Sequence, residues 1–424
     1  MKLPKVNLLL QILIAIVLGI GCGYIFPIWL GRIFATFNAI FSQFLGFIIP
    51  LLILAFVAPA IADIGNKAGK MLIATAALAY LSTCFAGFMS FGVGNYFFPK
   101  LISPHAVEDV KSGHDLAAYF TIEMPPLMGV MGALVLAFIL GISLAYMRGD
   151  TFKAGLNEFR EIVSMVIAKV IIPLLPIYIF GIFLNMTVSG QVATVLSAFM
   201  KIILVIFAMH IFLLLLQYAI AGIVVKKNPF KLLITMLPAY FTALGTQSSA
   251  ATIPVTLRQA IKIGVSEDTA GFVIPLCATI HMSGSAMKIV ACAIALMIMQ
   301  GHPYDSGMFA SFICMIGISI IAAPGVPGGA IMASLGLLAT FLNFTEADQA
   351  LMIALYIAMD SFGTACNVTG DGFIALLINK WFPSAKQTLP DPLSPEAESI
   401  KRQKGLSRSH FRNSVINAQA KKIT

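Results

Sequence analysis

Charge is what this sequence has little of. Only 11% of its 424 residues are Asp, Glu, Lys or Arg, under half the share usual in a soluble domain, while 59% are hydrophobic and the mean hydropathy is +0.94. Such a balance leaves no soluble domain of useful size. It describes a polytopic membrane protein, because a span takes about 20 apolar residues and a chain of this length holds about eight, plus shorter interrupted segments. Patterned cysteine is lacking too: Cys22, Cys84, Cys277, Cys292, Cys314 and Cys366 sit in apolar runs without metal-ligand or paired spacing, and read as small core residues. No small-residue cleavage site is clear after Met1 to Lys5, and the apolar run continues to Pro27, so it reads as a first span rather than a signal peptide. The formal charge of +9 does not imply nucleic acid. Its basic residues lie in short loops and in the polar tail from Pro390 to Thr424, where lipid headgroups and orientation account for them.

Taken in order, residues 7–30 and 36–62 read as two spans joined by a segment carrying Arg32. A third runs from Met71 to Phe98 and leads into a mixed-charge, outward-facing loop; a fourth covers Leu127 to Tyr146, followed by a charged cluster from Arg148 to Glu161. The fifth, 162–186, contains Pro173 and Pro176 and should kink there. The sixth runs from Val195 to Val225 and ends at Lys226 and Lys227. Placing both termini on the cytoplasmic side puts Lys67, Lys70, Arg148, Lys153, Lys226, Lys227 and the tail together, as the positive-inside rule requires.

Two later segments do not behave as spans. Residues 232–258 hold two apolar arms, each too short to cross, around the polar tip Gly245 to Pro254. Residues 308–342 repeat the plan around Ala322 to Gly329. This is the pattern of a re-entrant hairpin, tolerated at depth only where it is buried or lines a wet cavity. Each precedes a helix with a polar motif, Thr279 to Ser285 after the first and the stretch from Asp360 to Asp371 after the second. An internal repeat of hairpin plus broken helix points to a transporter site at the bilayer midplane.

In the second of those helices Asp360, Thr364, Asn367 and Asp371 stand at steps of four, three and four, which puts them on one narrow face. An ionised Asp at mid-membrane costs about 2.5–3.5 kcal/mol on insertion scales, so both acids should face protein and meet cations. Purely structural acids are the competing reading. Asn367-Val-Thr369 also matches a glycosylation sequon, which its apolar flanks oppose.

These motifs, Thr252-Ile-Pro-Val-Thr256 at the first tip, Pro324-Gly-Val-Pro-Gly328 at the second and above all Asp360-x-x-x-Thr364-x-x-Asn367-Val-Thr-Gly-Asp371, resemble those of the dicarboxylate/amino acid:cation symporters. The resemblance covers about residues 5–385. It implies an all-α membrane protein with eight transmembrane helices, two re-entrant helical hairpins, inverted repeats and an elevator-type mechanism, assembled as a homotrimer. Scaffold segments would be 1–65 and 101–190, the moving transport domain 66–100 and 191–385, and the basic cytoplasmic tail 386–424. By position, Asp360 would bind a substrate ammonium, Asn367 and Thr364 its carboxylate and side chain, and Ser249, Ser285 and the backbone at Val326 would close the pocket. Asp371 would coordinate a cation such as sodium with Asn367 and carbonyls around Cys277. No cofactor beyond bound sodium is expected.

Departures from the family pattern narrow this. Gly363 stands where acidic-substrate members carry Arg, and burying a second substrate carboxylate without a partner costs about 3–5 kcal/mol. The expected substrate is therefore a small zwitterionic amino acid, with acidic amino acids or dicarboxylates served by Lys288 as the alternative. The usual Asn-Met-Asp-Gly-Thr is His281-Met-Ser-Gly-Ser285 here, and Leu78 and Ala79 fall where hydroxyl ligands would be expected, so at least one sodium site is missing. Lys288, seven residues after His281 and on its face in a regular helix, or else protonated His281, would supply the positive charge that bound sodium provides elsewhere, leaving weaker sodium dependence or proton coupling; otherwise Lys288 snorkels to an interface. The expected protein is a symporter in a bacterial cytoplasmic (inner) membrane whose partners are the amino acid, Na+ or H+ and the lipid bilayer. A channel, or a membrane enzyme using Asp360 and His281, finds no further support.

Overall fold

In the computed structural model the chain is described over residues 8–64, 69–102, 116–147, 151–322 and 328–383. Every regular element among them is helical. Up to Phe382 they belong to one compact unit. The backbone at Val326, Lys67, Arg148, most of the 99–115 loop and the basic tail lie outside the described residues.

Helix α1 (Leu8–Ile25) turns at Phe26 and Pro27 into α2 (Ile28–Ile64). Arg32 lies inside α2 and not in a connecting loop, because Pro27, whose ring cannot continue α1, ends it one turn earlier than hydropathy alone implies. At 37 residues α2 is about 55 Å long, more than the roughly 30 Å of hydrocarbon, and so has length to tilt or project. Next come α3 (Lys70–Leu101) and α4 (Val130–Tyr146). The charged cluster after Arg148 is not a loop: from Thr151 it forms the amphipathic α5 (Thr151–Val166), continuous through a π turn at Ile167–Ile171 with α6 (Ile172–Val188). The widened turn falls just before Pro173, at the start of α6, so the kink expected of the prolines becomes a change of helix type there. Helix α7 (Val192–Val225) ends in left-handed Lys226.

Two helical hairpins follow. The first joins α8 (Pro229–Thr246) to α9 (Ser249–Ile263) through Gln247, held at φ 53°, and Ser248, which caps α9 by accepting from Ala251 N. The second has arms α12 (Ser306–Ser319) and α13 (Gly329–Leu342). After each comes a span in two pieces: α10 (Glu267–Ile280) and α11 (Ser283–Gln300) part at His281 and Met282, and α14 (Glu346–Ala358) and α15 (Asp360–Trp381) part at Met359. The repeat of hairpin plus broken helix is therefore physical.

Among the described residues six segments have the length and hydropathy of a membrane span, and α1 and α4 are shorter apolar helices. Helix α1 packs on α6 and α2 on α4 and α6, while α15 is surrounded by α7 to α11. The described part of the chain is an all-α, multi-pass membrane protein. Of the cysteines, Cys84, Cys277, Cys292 and Cys366 are core residues, but Cys22 is half-buried and Cys314 exposed, which corrects the expectation for those two. Each lies on an outer face of its helix, where an apolar neighbourhood in sequence does not ensure burial.

Candidate functional site

Helix breaks put polar backbone where regular spans have none. Among the described residues the tip of the first hairpin, the break before α11, the start of α13 and the α14/α15 junction line a half-open cavity of about 40 Å³, room for a few waters. Gln247 and Ser249 come from the first, Met282 and Ser285 from the second, Gly329 and Ala330 from the third, and Tyr356, Asp360, Thr364 and Asn367 from the fourth. Three helix amino termini, those of α9, α11 and α13, thus meet there. Some of their N–H groups are taken, by Asn367 at α11 and Ser248 at α9, but the dipoles of all three still favour a carboxylate.

All four members of the polar stripe are buried on α15. Asp360 is its first residue, where a carboxylate also suits the helix dipole. Its Oδ1 lies 2.9 Å from Lys288 Nζ, and its Oδ2 accepts from Gly328 N at 2.8 Å. Lys288 is fully buried; it reaches no interface, so the snorkelling reading fails. Its ammonium also faces the carbonyls of Met359 at 3.4 Å and Tyr356 at 3.5 Å, with the Tyr356 ring centroid 3.5 Å away. Asn367 accepts through Oδ1 from Gly284 N at 2.8 Å and Ser285 N at 3.3 Å, and donates through Nδ2 to Ser285 Oγ at 3.0 Å. Tyr356 donates its hydroxyl to the same Ser285 Oγ at 3.1 Å. Asn367 is therefore the clamp that orients the amino terminus of α11. Buried in this way, it is no glycosylation site.

Asp371, one turn further along, does not line the cavity. Its Oδ1 is 3.0 Å from His281 Nδ1, whose Nε2 lies 3.0 Å from Ser82 Oγ, which also receives Gln217 Nε2 at 3.2 Å. His281 and Lys288 do not share a face: the helix breaks between them, and one serves Asp371 while the other serves Asp360. Cys277 is buried a turn before the break, and its carbonyl accepts from His281 N. On α3 the hydroxyls at this level are Ser82 and Thr83, the latter accepting from Met282 N, while Ala79 is buried in the core and Leu78 packs at its margin.

Ser82, Gln217, Tyr356 and Gln247 were not singled out in the sequence. Ser82 and Gln217 are lone polar groups on α3 and α7, distant in sequence from α15, while Gln247 lies in the first hairpin's tip and Tyr356 on α14 just before the break. Their only signal was polarity within a span.

Two of the expected sodium ligands are otherwise engaged: Asn367 Oδ1 already accepts two N–H groups, and Asp371 faces an imidazole. Ser283 Oγ, fully buried, has no hydrogen-bond partner.

A first hairpin that turns within the protein, broken spans and a buried carboxylate among three helix amino termini define a secondary transporter. The chain belongs to the Sodium:dicarboxylate symporter family, whose pattern it matches over residues 8–381. It is similar to curated proteins named Serine/threonine transporter SstT. The one from Streptococcus suis (strain 05ZYH33) is 31% identical over 344 residues, 77% of this chain and 93% of the relative. Those from Acinetobacter baumannii (strain AYE) and Acinetobacter baylyi are 28% and 27% identical, covering 87% and 89% of this chain and 95% and 98% of the relatives. The chain is thus a membrane transporter of amino acid symport type, and not an enzyme.

Proposed function

We propose that the chain takes up a small neutral amino acid of the size of serine or threonine together with a cation. The observation that carries this is the placement of Asp360 opposite three converging helix amino termini around one cavity. The carboxylate suits the substrate's ammonium, the N–H groups suit its carboxylate, and Thr364 and Ser285 face a short polar side chain. The nearby lysine does not favour a second carboxylate on the substrate, since Lys288 is engaged by Asp360. The serine/threonine transporters it resembles agree with a neutral substrate.

Coupling follows from the same groups. Asp371 is the acid for the driving cation, with His281 in place of a neutral ligand and Ser283 in place of an acid; the reading is a reduced set of sodium sites, or proton coupling. The packing of α1, α2, α4 and α6 on one another, and of α15 among α7 to α11, supports a scaffold of 1–65 and 101–190 with a moving part of 66–100 and 191–385. Elevator transport, a homotrimer, a bacterial cytoplasmic (inner) membrane and cytoplasmic termini complete the proposal.

Counterflow tests it. Purified protein in proteoliposomes loaded with serine should draw in labelled serine against unlabelled internal pools, with threonine and alanine competing and glutamate not. Exchange of glutamate or succinate in preference to serine refutes the neutral reading.

A further inference from the structure

Asp360 has a complete set of partners from its own chain: Lys288 on one oxygen and the Gly328 N–H, at the start of the second hairpin's inner arm, on the other. A substrate ammonium seated on this carboxylate must contend with a lysine already there. We propose that Lys288 is a tethered counter-ion that competes with the substrate's ammonium for Asp360 and yields to it. This rests on Asp360 being the amino-group site.

The surroundings supply the place to which the lysine yields. Its Nζ already lies against the carbonyls of Tyr356 and Met359, at the carboxyl-terminal end of α14, and over the Tyr356 ring. A helix carboxyl terminus carries partial negative charge and an aromatic face attracts a cation, so the ammonium keeps two favourable neighbours when Asp360 is taken. Retreat toward α15 is closed: a Cβ on Gly363 would stand 2.8 Å from Nζ and 2.7 Å from Cε, so the lysine fills that space. The cavity of about 40 Å³ is bordered by Asp360 and Tyr356, the lysine's own partners, so a guest that takes Asp360 from there leaves the lysine the α14 side.

A functional consequence separates this from a packing role. A buried carboxylate without a cation is costly, so a carrier lacking the lysine closes over Asp360 only with a guest inside. With the lysine, Asp360 is neutralised and tied to the second hairpin by the chain's own groups. The carrier can then return without cargo and accumulate substrate, where an obligatory exchanger cannot.

Lys288→Met and Lys288→Met/Gly363→Lys, the latter moving the charge across to α15, test the proposal in proteoliposomes with labelled serine. Removing the lysine should tighten serine binding ten-fold or more, and should lower net uptake into serine-free vesicles ten-fold or more relative to exchange against internal serine. The relocated charge should reverse both changes. Weaker serine binding in Lys288→Met overturns the proposal, because the lysine is then a ligand or a packing residue. It also falls if Lys288→Met keeps the wild-type ratio of net uptake to exchange, or if the double variant exchanges serine without regaining net uptake. Wild-type protein that exchanges serine but shows no net uptake overturns it without any variant. Failure of the wild type to exchange serine, threonine or alanine instead refutes the amino acid reading.

Discussion

Gly363 and Lys288 occupy one space from two helices: the lysine's terminal atoms stand where a side chain on Gly363 would begin, 2.7 to 2.8 Å from its Cβ position. In the family this chain resembles, Arg at that position accompanies acidic substrates. Here a cation is present at nearly the same place, but it arises from α11 and is paired with Asp360. The net charge offered to a guest is therefore unlike that of an Arg-bearing site.

Gly363→Arg should accordingly fail to create a glutamate transporter. Overpacking of this kind costs about 1–3 kcal/mol, and the added cation would meet Lys288 head on. A lowered melting temperature, with no glutamate-stimulated stabilisation, is the expected result in a thermal-shift assay. Recovery of glutamate binding should require Lys288→Met in the same molecule.

Asp360→Asn should abolish serine binding and also destabilise the protein, since it leaves the buried ammonium of Lys288 without its carboxylate, at about 3–5 kcal/mol. Asp360→Asn/Lys288→Met should recover most of the stability but none of the binding. A double-mutant cycle on unfolding midpoints measures the coupling, and additive single effects would show that the two groups do not act as a pair.

Asn367→Leu removes the acceptor for Gly284 N and Ser285 N, two buried backbone donors. Each unsatisfied donor costs about 1–3 kcal/mol. The start of α11 should lose its fixed orientation, so stability and serine affinity should fall together. Amide hydrogen exchange at residues 282–286 should rise sharply in this variant and stay at wild-type levels at the far end of α11.

Sodium dependence is the fourth test. His281→Asn/Ser283→Asp restores the motif that the family resemblance leads one to expect, and removes the imidazole facing Asp371. Serine uptake should become steeply dependent on sodium when choline replaces it, whereas the unaltered chain should show a shallow dependence. An unchanged sodium profile in a folded variant would mean that Asp371 does not sit in the cation path.

Much of this was legible in the chain. The two hairpins were visible because each arm is too short to cross and each tip is polar, and the stripe on α15 because helical spacing fixes which residues share a face. The break at His281 and Met282 was less so: polar residues marked the place, but a regular helix would have put His281 and Lys288 on one face, and only the break sends them to different acids. Ser82, Gln217 and Tyr356 join the site from helices α3, α7 and α14. Nothing local about a single serine or glutamine in an apolar span says which neighbour it meets.

The sequence by itself determined that two acids lie within the membrane on one helical face, and that two doubled-back segments flank them. Both are consequences of short-range periodicity and of the cost of placing charge in hydrocarbon. Which cation each acid receives was decided only by tertiary structure, because a buried ion pair forms between residues that packing brings within 3 Å, and here Lys288 and Asp360 are 72 positions apart.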